Sequence, residues 1–199
     1  EGFGGIEGVR KGKGELYDYI RAMGGTNFRN ADLDYLAGMS AGIEKQVTYG
    51  STADAQYYGI AIMDDVFLHI NLHYEGDNVL IKSLLVGEYN FPNIMAALAV
   101  GLHFGVPLSD IQAAIETYNP DNSRSQWLQQ GTNKIILDAY NANPTSMRAA
   151  IINFAGAHLS NKILWLGGMK EMGADEAAEH PELVALVQLY EWSHVILVR

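Results

Sequence analysis

The 199 residues, 48% hydrophobic and 18% charged, have the balance of a globular chain able to bury one large core or two small ones. No apolar run approaches the roughly 20 residues of a membrane span, so no membrane insertion is expected. A net charge of −10 argues against a general role on nucleic-acid backbones while leaving a localised anion site open. With no cysteine, disulfide scaffolds and thiolate metal sites are excluded, which fits a cytoplasmic location.

Ile6, Val9, Leu16, Tyr19 and Ile20 recur at helical spacing and predict a helix from about Ile6 to Met23, stopped by Gly24-Gly25. Thr26 to Arg29 reads as a short strand, and Asp32 as the cap of a helix carrying Leu33, Leu36 and Met39. From Tyr57 to Val86 the period falls to two. Val66, Leu68, Ile70, Leu72 and Tyr74 make one face of a half-buried strand, and His69, Asn71, His73 and Glu75 make the other, read as solvated. A turn at Glu75 to Asn78 and a return strand from Val79 to Val86 predict an antiparallel hairpin.

Phe91 to Phe104 is apolar on most sides and predicts a buried helix, with Pro92 in its first turn and Gly105 as its stop. Ser109 is expected to cap a second, amphipathic helix carrying Ile111, Ala114 and Ile115. Asn119-Pro120-Asp121-Asn122-Ser123 then reads as a linker. Beyond it come a strand at Ile135 to Leu137, a helix from Pro144, a strand at Ile163 to Leu166, a helix from about Glu176 to Tyr190 and a strand at Val195 to Val198. Such alternation predicts an α/β fold with a parallel sheet, the first of these strands being buried on both faces. The abrupt start at Glu1-Gly2-Phe3 and the strand-like end at Val198-Arg199 read as interior points of a longer protein.

Ligands of open α/β sheets sit beyond the carboxyl ends of the strands, which marks Asp138, Tyr140, Asn141 and Asn143. The alternative is a capped βα turn, with Asn143 as N-cap and Pro144 at the first helical position. Gly167 to Gly173 follows the next strand and is expected on the same sheet edge, where the two loops would share a pocket. Its spacing matches neither G-x-G-x-x-G nor a Walker A loop, so a Gly-rich turn is the weightier reading. His69 and His73 stand about 13 Å apart along a strand, too far to share an ion. Arg10, Lys11 and Lys13 are either a solvated helix face or a cationic approach to a phosphate or metal. Asn90 and Asn93 offer paired donors and acceptors suited to the edge of adenine, or a helix cap.

Four segments in order carry a resemblance over essentially the whole chain: Glu1-Gly2-Phe3-Gly4 with Lys13-Gly14-Glu15; Gly87 to Ala97; Asp138 to Ser146; and Leu166 to Gly173 followed by His180. They resemble the Mur ligase family, within it the branch that adds D-alanyl-D-alanine to UDP-N-acetylmuramoyl-tripeptide. The resemblance implies part of a central ATP-binding domain at residues 1–121, with a mixed sheet, hairpin and helices. A truncated Rossmann-like C-terminal domain with a parallel sheet is implied at residues 122–199. It also implies an ATP- and Mg2+-dependent ligase that makes an amide through an acyl phosphate in peptidoglycan precursor synthesis, cytoplasmic and monomeric.

By the same resemblance Lys13 is a catalytic lysine, carbamylated and holding Mg2+ through its carbamate. Asn90 and Asn93 bind adenine, although Tyr89 stands where the family usually has histidine. Arg124 reaches the nucleotide, Asp138 binds the ribose hydroxyls, and Tyr140, Asn141 and Asn143 face the reaction centre or the incoming dipeptide. The family's phosphate loop and UDP-binding domain are expected upstream of Glu1, so this stretch is expected to be inactive by itself. Another Mur-type amino-acid ligase, or a non-catalytic nucleotide-binding or interaction module, are the alternatives.

Overall fold

The computed structural model describes residues 4–169 and 176–198. The chain divides into two compact units, one made of Glu1–Ile62, Leu68–Leu84 and Asn90–Tyr118, the other of Met63–Phe67, Leu85–Tyr89 and Asn119–Arg199. A five-stranded sheet runs β1 (Thr26–Asn30), β2 (Lys45–Gly50), β3 (Tyr57–Asp64), β4 (Phe67–Tyr74), β5 (Asp77–Val86) in that order. β1, β2 and β3 are parallel. A parallel return normally needs a long crossover, yet residues 51–56 suffice between β2 and β3. The reason is that only Tyr49 and Gly50 pair with Tyr57 and Tyr58, so the chain climbs back a short way.

β3 to β4 and β4 to β5 are joined by two residues each, a connection that antiparallel strands alone can make. Glu75 and Gly76 both have positive φ, 52° and 90°, as the turn that matches strand twist requires. Leu68, Ile70 and Leu72 are fully buried, as the alternation predicts. His69, Asn71 and His73 form a half-buried face rather than a solvated one, because His73 stacks on Tyr58 with ring centroids 4.4 Å apart.

Helix α1 (Gly5–Met23) ends at Gly24 in the left-handed region, as read from the sequence. Its Arg21 donates to the carbonyls of Met39 and Ala41, tying it to the end of α2 (Asp34–Met39). The expected Asp32 cap is absent from α2. Its carboxylate instead accepts the backbone N–H of Ser51 at 2.9 Å and the Ser51 hydroxyl at 3.0 Å, closing the ends of β1 and β2. α3 (Phe91–His103) buries Phe91, Ile94, Met95, Leu98 and Ala99 and packs on β1 and β2. A Cβ on Gly59 of β3 would lie 2.9 Å from Met95 Sδ, so a glycine is what lets helix and sheet close.

α4 (Leu108–Thr117) begins one residue before Ser109, so Ser109 lies inside the first turn and does not cap it. Its Glu116 accepts the Lys82 backbone N–H at 3.0 Å, and Gln112 donates to Glu116 at 2.9 Å and to the Leu80 carbonyl at 3.2 Å. These bonds satisfy backbone groups of an edge strand that would otherwise invite pairing.

In the second unit, Gln126–Gln130 forms β6, a strand too polar to read from the sequence, paired antiparallel with β7 (Asn133–Leu137). This corrects the expectation for Ile135 to Leu137, which lie half-buried in a hairpin and not in the parallel sheet. A two-residue turn at Gly131, φ 61°, makes the neighbouring strand the cheapest partner in loop entropy. Ile136 and Trp127 pack against Val66, Phe67, Val86 and Ala157. β8 (Ile163–Gly167) and β9 (His194–Val198) are parallel as predicted. α5 (Pro144–Gly156) and α6 (Glu176–Gln188) contribute with them to a core of Ile151, Leu164, Met169, Leu183 and Val187. No described helix is long and apolar enough to cross a membrane.

Hydrogen bonding from Gln112, then from the Lys82 backbone, holds the Glu116 carboxyl below its ordinary value. A depressed acid stabilises the fold above its unfolded pKa of about 4.3, and that contribution disappears as pH falls through the folded value. Because this carboxyl is largely solvated, the effect is screened: Glu116→Ala should lower stability at pH 7 by no more than about 1 kcal/mol and flatten the acid limb, both read by urea unfolding across pH 3–7.

Candidate functional site

The junction between linker and hairpin is held by short local bonds. Asn122 Oδ1 accepts the Arg124 N–H at 3.3 Å, the Ser123 carbonyl accepts the Ala139 N–H at 2.7 Å, and Asp138 Oδ1 accepts the Ser125 N–H at 3.2 Å. Ser123 and Ser125 both have positive φ, 58° and 47°, a conformation costly for residues with a Cβ. Between them Arg124 projects its guanidinium over the Tyr140 ring, 3.7 Å from the centroid. Arg124, Asp138 and Tyr140 are all exposed, so a cation, a carboxylate and a phenol share one accessible ledge.

Ser125 itself is buried. Its hydroxyl shares a 2.6 Å hydrogen bond with the hydroxyl of Tyr89, which belongs to the same unit. Burial, opposed by the Ser125 hydrogen bond and reinforced by the Asp138 charge, pushes the Tyr89 phenol above its ordinary value. Gly87 adjoins this ring: it has φ 91°, and a Cβ there would lie 2.3 Å from Tyr89 Cε1. Neither the serines nor this bond was read from the sequence. The signals were present as Gly87 two residues before Tyr89 and as Arg124 flanked by small hydroxylated residues.

Past Asp138 the chain turns into α5 through the cap expected of Asn143. Its Oδ1 accepts the Ser146 N–H at 2.9 Å while Ser146 Oγ accepts the Asn143 N–H at 3.3 Å, and Pro144 begins the helix. Asn141 is exposed beside Tyr140. β7 and β8 belong to different sheets, so the two loops do not leave one sheet edge as expected, and the part of the glycine loop that would complete a shared pocket lies outside the described residues. Gly167 and Gly168 instead line an apolar groove of about 330 Å³ with Met147, His180, Val195 and Leu197. His180 Nε2 accepts the Met169 N–H at 3.2 Å and fixes the start of that loop. Lys170 to Gly173 lie outside the described residues, as do Glu1 to Phe3.

In the first unit Lys13 is exposed midway along α1. Its neighbour Arg10 pairs with Glu7 at 2.6 Å and lies 4.7 Å from the Tyr35 ring centroid. Asn93 Nδ2 donates to Asn90 Oδ1 at 3.0 Å, and the Asn90 side chain makes no capping bond to α3. Among the described residues no three His, Asp or Glu side chains converge as a metal site.

Two family descriptions match this chain, the Mur ligase middle domain over residues 1–101 and the Mur ligase glutamate ligase domain over residues 123–199. The chain belongs to the Mur ligase family. It is similar to the UDP-N-acetylmuramoyl-tripeptide--D-alanyl-D-alanine ligase of Haemophilus influenzae, 30% identical over 95% of this chain and 41% of that one. The Escherichia coli ligase of the same name is 31% identical over 92% of this chain and 41% of that one. The chain thus spans about two fifths of the length of these relatives. A crystal structure of MurF from Acinetobacter baumannii superposes with a TM-score of 0.81 at 26% identity, covering 98% of this chain and 43% of that one. MurF from Thermotoga maritima, solved in complex with ADP, shares the fold at a TM-score of 0.68 and 15% identity, covering 88% of this chain and 44% of that one.

Asn143→Ala should cost about 1 kcal/mol of stability, and Asn143→Ser should restore most of it, as measured by urea unfolding.

Proposed function

We propose that this chain supplies nucleotide- and amine-facing parts of a longer cytoplasmic ligase that adds D-alanyl-D-alanine to UDP-N-acetylmuramoyl-tripeptide at the expense of ATP. Residues 1–121 are then part of its central ATP-binding domain and residues 122–199 part of its C-terminal domain. The observation that carries the reading is the ledge at the end of β7, where Arg124 lies over Tyr140 and Asp138 is held by the Ser125 N–H. A carboxylate accepts hydrogen bonds from vicinal ribose hydroxyls, and a guanidinium neutralises phosphate charge. The bond between Asn93 and Asn90 orients two carboxamides, groups whose donor and acceptor match adenine's amino group and ring nitrogen.

In this reaction the terminal carboxylate of the nucleotide-peptide attacks the γ-phosphorus of ATP, giving an acyl phosphate and ADP. The amine of the dipeptide then attacks the acyl carbon, and phosphate leaves as the amide forms. Positioning and charge neutralisation are what the protein must supply. Tyr140 and Asn141 are exposed at the end of the ledge, where they are suited to orient the incoming amine. Asn143 caps α5 through its side-chain oxygen, leaving its amide as the group available to the dipeptide. As a carbamate, Lys13 would add one carboxylate ligand toward Mg2+. The ligase is monomeric in this reading, and the 199-residue chain by itself is inactive.

The test is phosphate release by the full-length protein with UDP-N-acetylmuramoyl-tripeptide and ATP, comparing D-alanyl-D-alanine with single amino acids. Turnover with the dipeptide alone is expected. Turnover with a single amino acid would reassign the branch, and no turnover with any amine would favour a non-catalytic module. In the active enzyme Asp138→Asn should raise the KM for ATP roughly tenfold, the loss of about one charge-assisted hydrogen bond, with little change in the unfolding midpoint.

A further inference from the structure

We propose that Tyr89 is a positioning residue for the nucleotide, acting through Ser125 on the carboxylate of Asp138; the inference rests on the ligase reading above. Asp138 is exposed at a strand end, and a carboxylate there samples several rotamers unless something holds it. The Ser125 N–H, 3.2 Å from Oδ1, is the group that does so. That N–H points correctly while Ser125 keeps its left-handed backbone, φ 47°, a state that persists when the surroundings enforce it.

The enforcement comes from Tyr89. Ser125 is 5% exposed, and its hydroxyl bonds the Tyr89 phenol at 2.6 Å. Breaking that bond leaves a buried hydroxyl unpaired and a strained backbone free to relax. The Tyr89 ring is in turn seated against Gly87, where any side chain would lie 2.3 Å from Cε1. Gly87, Tyr89, Ser125 and Asp138 therefore form a chain of contacts that ends on a nucleotide-facing group. Two of its members are covalent neighbours of other proposed nucleotide contacts, Tyr89 of Asn90 and Ser125 of Arg124. A shift of Ser125 also moves the peptide that carries the Arg124 guanidinium over Tyr140.

The experiment compares full-length wild type, Tyr89→Phe, Ser125→Ala and the double variant, with ATP and with 2′-deoxy-ATP. Phenylalanine keeps the ring on Gly87 and removes one oxygen. Each single variant should raise the KM for ATP three- to tenfold, leave the KM of the peptide substrates unchanged and weaken the preference for ATP over 2′-deoxy-ATP. The double variant should be no worse than the more affected single one, because the two changes break one bond. Unchanged nucleotide preference in folded Tyr89→Phe, or a parallel rise of every KM, overturns the inference. Should Tyr89→Phe not fold, Ser125→Ala decides by the same readout from the other side of the bond. Absence of ATP-dependent turnover in the unsubstituted protein overturns the ligase reading and this inference with it. Normal turnover with an unaffected nucleotide preference overturns the inference alone.

Discussion

The exclusion of water from the layer between the sheet and α3 is the constraint on which the first unit rests. Leu68, Ile70 and Leu72 of β4, Ile81 of β5, and Met95, Leu98 and Ala99 of α3 are all fully buried. Each large side chain so buried contributes roughly 1.5–3 kcal/mol, and a slip of β4 by one residue would turn three of them outward together. That penalty sets the register of the hairpin within the first unit, where Asn90 opens α3. The chemistry proposed for Asn90 therefore depends on an apolar layer that it does not join.

Polar groups do a different task in this molecule. Glu116 and Gln112 engage the backbone of β5, Asp32 closes the ends of β1 and β2, and Lys162 donates to the carbonyls of Ala155 and Ala157 at the end of α5. Each satisfies backbone groups at a sheet edge, a strand end or a helix end that would otherwise be unpaired. The same device, a side chain or N–H aimed at a chain end, produces the ledge of Arg124, Asp138 and Tyr140. The site is an elaboration of ordinary end-capping, and this is why a capped turn and a ligand loop looked alike at Asp138 to Ser146.

Elements with strong local signals were legible without coordinates. The alternation in β4, the stop at Gly24, the cap at Asn143 with Pro144 and the apolar α3 all depend on neighbours within a few residues. Asp32 misled because a capping residue is also a good ligand for other backbone groups, and it found Ser51, 19 positions away; Ser109 misled because the helix starts one residue earlier, at Leu108. Gln126–Gln130 gave no strand signal because its side chains are largely polar, and it is a strand through its pairing with β7.

By itself, the sequence determined the type and order of most helices and strands, the buried faces of β4 and α3, and the candidate residues at Asn90, Asn93 and Asp138, because propensity, periodicity and side-chain chemistry are local properties; Arg124 was marked only by the family resemblance. Tertiary structure decided which strands pair, that the loops after β7 and β8 leave different sheets, and that Tyr89 meets Ser125 across 36 positions. Those outcomes depend on which distant groups are brought within hydrogen-bonding distance once the apolar layers close, a sum over the whole chain that no local window contains.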